Sequence, residues 1–112
     1  MAKAYIIGPT LGMNRLNIDA FRAMAGKLEK MGHDPIVPHD LFNDEDNEPG
    51  GLTIDEAITR RVAELQNCDL AVMMPGFMID RIAMQEMTHA RAFGLQVVKY
   101  EDLYKLEEWI QQ

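Results

Sequence analysis

Glu86 stands in the middle of an apolar helical stripe. At about 100° per residue, Ile79, Ile82, Ala90 and Phe93 all fall within roughly 40° of it. An unpaired carboxylate buried among them would be costly. Glu86 is therefore expected to be a functional carboxylate in a cleft, or else to snorkel to the rim or pair with Arg60, Arg61 or Arg91. The run from Pro75-Gly76 to Arg81 leads into the N-terminus of the same helix, where free backbone N–H groups and the positive end of the dipole attract anions. Arg81 adds positive charge there; Asp80 opposes it and also reads as the helix N-cap. Near the chain start, Gly8-Pro9-Thr10 and Gly12 let a loop approach a ligand closely, and Arg15 is placed to reach a phosphate. This turn has neither a P-loop lysine nor a GxGxxG fingerprint. His39 and Asp40 fit acid–base work, a metal or a turn cap, at the edge of the same crevice. His33 and His89 read as surface or boundary residues, and Cys68 as a small buried one. Asp44, Glu45, Asp46 and Glu48 lack the glycine and terminal glutamate of an EF-hand and read as a solvated acidic loop. No metal and no cofactor is expected.

Short β-branched runs alternate with longer helical patterns, the signature of a parallel α/β sheet. Strands are expected at residues 4–7, 35–38, 69–74 and 95–99, and helices from about 17 to 31, 54 to 67 and 80 to 93. A last amphipathic helix is expected from Glu101 to Gln112. Thr53 and Glu56 fit a capping box at the start of the second helix. The stretch between Pro38 and Leu52 is longer than most connections and is read as functional or mobile. Right-handed crossovers arrange such units as a flavodoxin-like three-layer sandwich, with a parallel sheet of four or five strands in the order 2-1-3-4. The crevice then lies at the carboxyl ends of strands 1 and 3, where Gly8-Pro9-Thr10 and the 75–81 turn meet.

The 112 residues, 47% hydrophobic and 26% charged, fit one domain spanning 1–112. No apolar run approaches the ~20 residues that cross a bilayer, and no signal-peptide pattern opens the chain, so a cytoplasmic protein without a membrane partner is expected. A single cysteine excludes an internal disulfide. With 11 basic against 18 acidic residues the net charge is −7, which disfavours a nucleic-acid polymer and leaves a small building block as the nucleic-acid-related partner. Nine methionines suggest a plastic core or an adaptable subunit contact. Met73, Met74, Met78, Met84 and Met87 cluster around the third strand and helix, where a homodimer or larger homo-oligomer is expected to form.

Several stretches together resemble a known family. Tyr5-Ile6-Ile7-Gly8-Pro9-Thr10, Asn14-Arg15, Gly32 through Pro38, Leu65 through Asp69 and Met74-Pro75-Gly76-Phe77 occur in order. Arg81, Glu86, Ala90, Gly94 and Leu95 follow at matching offsets. The chain resembles, up to Lys99, the nucleoside 2-deoxyribosyltransferase-like superfamily, in particular its small bacterial and phage members of the DUF4406 type, related to deoxynucleoside monophosphate N-glycosidases. The resemblance implies a Rossmannoid, usually oligomeric domain that cleaves or transfers at the N-glycosidic bond of a nucleoside or nucleotide. It implies that Glu86 is the nucleophile, that first-loop residues (Gly8, Pro9, Thr10, Arg15) hold base or sugar, and that the 76–82 turn (Gly76, Asp80, Arg81) holds a 5′-phosphate or 5′-hydroxyl. The chain departs from the pattern at Arg61, where relatives carry an aspartate, and at Asp80 and Ile82, where monophosphate hydrolases favour serine and glycine. An Arg61–Glu86 pair would quench the nucleophile and leave a nucleotide-binding or sensing module of the same fold, as a phage-encoded member. A flavin-binding flavodoxin is disfavoured, because the first loop lacks a run of Ser/Thr phosphate ligands.

Overall fold

The computed structural model describes residues 2–42 and 51–103. Four strands, β1 (Lys3–Ile7), β2 (Asp34–Ile36), β3 (Leu70–Met73) and β4 (Gln96–Lys99), form one parallel sheet in the order β2-β1-β3-β4. Three α-helices connect them: α1 (Ile18–Lys30), α2 (Ile54–Leu65) and α3 (Arg81–Ala92). The architecture is the α/β one that the periodicity predicts.

Side-chain alternation sends β1 and β3 into two cores. Ala4, Ile6, Leu70 and Val72 meet Phe21, Met24, Ala25 and Leu28 of α1 on one face. Tyr5, Ile7, Ala71 and Met73 meet Leu65 of α2 and Ala83 and Ala90 of α3 on the other. The central strands are covered on both sides, which is why they read as unbroken apolar runs. Each large side chain fully buried there contributes about 1.5–3 kcal/mol relative to exposure. The register sets Tyr5 beside Ala71 and Ile7 beside Met73, so the one hydroxyl of β1 lies on the α2/α3 side.

Some boundaries move. β2 begins at Asp34 and ends at Ile36, because Pro38 opens a 3-10 turn, Pro38–Leu41. Pro35 is tolerated since, among the described residues, β2 pairs only with β1. At the start of α2, Glu56 N–H donates to Thr53 Oγ1 at 3.1 Å, while the Thr53 hydroxyl donates to the Glu56 carboxylate at 3.1 Å. The cap forms, with the glutamate accepting from the threonine side chain. Of the terminal helix, a 3-10 turn at Tyr100–Asp102 and the buried Leu103 fall within the described residues. The rest of it, and the acidic cluster 44–48, lie outside them.

The methionine cluster divides. Met73 and Met74 are core residues, and Met87 packs against the α2/α3 core. Met78 and its neighbour Ile79 are 71% and 87% exposed. His33, expected at the surface or boundary, is buried. No helix among the described residues is long and apolar enough to cross a membrane.

Gly8 marks where the first loop leaves the sheet. A Cβ there would lie 2.9 Å from Met74 Sδ, 3.0 Å from Met74 Cβ and 3.2 Å from Phe21 Cζ. Gly26, inside α1, has nothing within 4 Å of such an atom. Gly8→Ala is therefore expected to destabilise by about 1–3 kcal/mol through overpacking, and Gly26→Ala to stabilise by about 0.5–1 kcal/mol through helix propensity. Urea denaturation of both variants checks the pair; equal effects at the two sites would contradict this packing.

Candidate functional site

The loop after β1 and the turn before α3 meet at the carboxyl end of the sheet, and Asp80 joins them. Its Oδ1 accepts from Ala83 N–H at 2.9 Å, capping α3. Its Oδ2 accepts from Thr10 N–H at 2.7 Å and from Leu11 N–H at 3.0 Å. Burial works to raise this carboxyl, but the N–H groups of Thr10, Ala83, Leu11 and Ile82 outweigh it and leave the group below the usual carboxylate range. A Cβ on Gly76, which has φ +81°, would stand 3.4 Å from the Pro9 ring. The crevice expected between the ends of β1 and β3 is thus stitched closed by the protein's own carboxylate.

Glu86 lies behind this seam with 0% exposure. Its Oε2 accepts a hydrogen bond from the Tyr5 hydroxyl. Arg61 Nη1 is 3.5 Å from Oε1, an ion pair without an aligned hydrogen bond. Desolvation drives the Glu86 carboxyl up to about 7, against the pull of the Arg61 charge and the Tyr5 hydroxyl; the Asp80 charge adds to the rise. Tyr5 is pushed well above its ordinary value by burial and by the Glu86 charge, so its phenol stays a neutral donor.

A pocket of about 190 Å³ opens beside this cluster, on the α2 side. Thr10, Leu11 and Leu16 of the first loop form one wall, and His39 and Phe42 after β2 another. Leu52, Thr53, Ile54, Ala57 and Arg61 close it from α2, with Ile82 of α3 opposite. Arg61 both lines the pocket and pairs with Glu86. The Phe42 ring lies 5.5 Å from its guanidinium carbon.

The backbone of the first loop is strained where it meets the pocket. Arg15, Leu16 and Asn17 have φ of 50°, 53° and 62°, a left-handed turn without glycine, which costs free energy at each residue. Asn17 Nδ2 donates to Pro9 O at 3.0 Å, and His39 Nε2 lies 2.7 Å from Leu16 O. The carbonyl requires that nitrogen to carry the proton. Burial lowers the His39 pKa despite the Leu16 carbonyl, so the ring is a neutral tautomer that pins the turn.

Of the residues singled out from sequence, Thr10 and His39 line the pocket. Gly8 and Pro9 are buried beneath the loop, and Gly76 lies on the closed seam. Asp80 is committed to backbone groups. Arg15 turns outward to Asp19 at 3.3 Å. Asp40 grips Arg22 through two bonds of 2.6 and 2.7 Å. Arg81 lies in a groove on the outer side of α3 with Met84 and His89. The sequence reading missed Tyr5 and the α2 wall. A hydroxyl in a strand of otherwise apolar residues was the available signal for Tyr5, since a buried phenol needs a partner.

Residues 2–99 match the sequence profile of a family described as a domain of unknown function, DUF4406. None of the curated proteins matches. Among solved structures, the chain is similar to the CMP N-glycosidase BcmB of Clostridium botulinum, with a TM-score of 0.58 and 14% identity, over 87% of this chain and 69% of that one. At that identity the likeness is one of fold.

Glu86 also leaves a mark on stability. Its folded value of about 7 lies above the ordinary 4.5, so between these values the folded state binds more protons than the unfolded one. The stabilisation from the protonated group is complete below about 4.5 and is lost as pH rises through about 7. Urea melts at pH 5 and pH 8 are expected to show the protein losing stability relative to Glu86→Gln as pH rises. The other titrating groups, His33 and His39 included, are common to both proteins. A difference independent of pH would contradict the buried carboxyl.

Proposed function

This chain belongs to the DUF4406 family, and on that premise we propose that it binds a nucleoside or nucleotide and cleaves its N-glycosidic bond through Glu86. The observation that carries this reading is the buried carboxylate beside the pocket. Glu86 follows the pocket residue Ile82 by one helical turn, receives the Tyr5 hydroxyl and pairs with Arg61. The fold shared with a CMP N-glycosidase supports a ligand of that chemical class. So does the resemblance of the Glu86 region to deoxyribosyltransferase-like enzymes.

In the proposed reaction a Glu86 oxygen bonds to C1′ of the sugar as the C1′–N bond breaks. The electron pair leaves with the base, which takes a proton from solvent. Water then attacks C1′, releases the carboxylate and gives up a proton; a second base in place of water makes the reaction a transfer. Tyr5 orients the carboxylate. Arg61 gives way for the sugar to reach it. Because the ionised carboxylate is the nucleophile, the rate should rise with pH through about 7.

One observation favours a second reading, a binding or sensing module without the reaction: Glu86 has no exposure and is held by Arg61. Incubation with a panel of deoxynucleosides, ribonucleosides and their 5′-monophosphates, followed by chromatography for free base, separates the two. The expected outcome is base release by the protein and loss of several orders of magnitude in rate for Glu86→Ala, with ligand binding retained. Binding without release from any ligand would establish the module instead.

A further inference from the structure

We propose that Arg61 makes the pocket selective for an anionic ligand, the nucleoside 5′-monophosphate over the nucleoside, and holds the phosphate on the α2 side of the site. This inference rests on the nucleotide reading above and adds where the phosphate goes and what selects it.

The usual place for an anion in such a sheet, the start of the helix after β3, is already filled. Asp80 occupies it, taking the N–H groups of Ala83, Thr10 and Leu11 at 2.7–3.0 Å. A phosphate there would have to displace a capping carboxylate that three backbone N–H groups hold. The pocket has a different character. Among the described residues lining it, Arg61 carries the one formal charge, and the rest are apolar apart from Thr10, Thr53 and the neutral His39. In a chain of net charge −7, attraction for an anion has to come from such a local cation.

Arg61 has donors to offer. It is 7% exposed, yet among the described residues it makes no aligned hydrogen bond. Its Nε is buried without a partner. Buried polar groups are almost always hydrogen-bonded, and a guanidinium matches the oxygens of a phosphate with paired N–H groups. A neutral nucleoside would leave these donors unused. A monophosphate would satisfy them, while the apolar wall of Leu16, Phe42, Leu52 and Ile54 takes the uncharged part of the ligand. A phosphate that draws Arg61 to itself also uncovers Glu86, so the ligand that satisfies Arg61 is the one that opens the path to the carboxylate.

Titration calorimetry with a nucleoside, its 5′-monophosphate, ribose 5-phosphate and inorganic phosphate tests the assignment. The proteins are wild type, Arg61→Lys and the double variant Arg61→Met/Glu86→Gln, which leaves no unpaired buried charge. Wild type should bind the monophosphate roughly tenfold or more tightly than the nucleoside, with an advantage that shrinks as salt rises. Arg61→Lys should retain part of the advantage, and the double variant, its fold checked by circular dichroism, should bind both ligands alike. Equal binding of nucleoside and monophosphate by wild type would overturn the proposal, as would a preference that survives in the double variant. If neither nucleoside nor nucleotide binds while ribose 5-phosphate or phosphate binds through Arg61, the anion site stands and the nucleotide reading fails. No binding of any anion overturns the anion site itself. Base release from nucleosides alone, with no monophosphate preference, keeps the reaction and removes this inference.

Discussion

A carboxylate with no exposure has to find its partners inside the protein, and the arrangement around Glu86 follows from that requirement. Glu86 is on α3, its hydroxyl donor Tyr5 on β1 and its cation Arg61 on α2. Three elements far apart in sequence are tied at one point on the α2/α3 face of the sheet. The ties are unequal. Tyr5 makes a hydrogen bond, whereas Arg61 supplies charge at 3.5 Å without alignment. Desolvation outweighs both and holds the carboxyl near neutrality, at about 7. A buried pair of this kind is weak as a device for stability, since desolvation offsets most of the attraction. Its position beside a pocket is what the proposed reaction draws on.

Asp80 supplies the second constraint. One carboxylate caps α3 and fastens the first loop to it, so the junction between the ends of β1 and β3 closes and the pocket opens between the first loop and α2. The residues that line the pocket differ accordingly from those expected at the crevice. Thr10 and His39 remain, Arg15, Asp40 and Arg81 turn to other partners or outward, and the α2 residues enter. The strained turn at Arg15–Asn17 belongs to the same construction, because it delivers Leu16 to the pocket wall and is held there by the neutral His39 ring.

The strands and the helices α1–α3 were legible from hydrophobic period, because central parallel strands are buried on both faces and α1–α3 each carry an apolar stripe; the strand order came from the right-handed crossover rule. Glu86 was legible for the same reason: a charge inside such a stripe breaks the pattern. Asp80 was legible as a cap, since that bond spans three residues. Its bonds to Thr10 and Leu11 were not, because no local spacing reports a contact 70 residues away. By periodicity Arg61 was one of three candidate arginines for Glu86, and the departure from the resembled pattern at position 61 singled it out. The α2 wall stayed hidden because Leu52, Ile54 and Ala57 read as ordinary members of an amphipathic helix and its approach. Which way that helix start faces is decided by the packing of α2 against α3, and sequence periodicity does not carry it.

The most direct measurement is the electron density of the Glu86→Gln protein crystallised with the nucleoside 5′-monophosphate it binds most tightly. The account predicts phosphate oxygens about 2.7–2.9 Å from the Arg61 guanidinium, Asp80 still bonded to the Thr10 and Leu11 N–H groups, and C1′ of the sugar directed at residue 86. A phosphate seated at the start of α3 with Asp80 displaced, or a sugar turned away from residue 86, would contradict it.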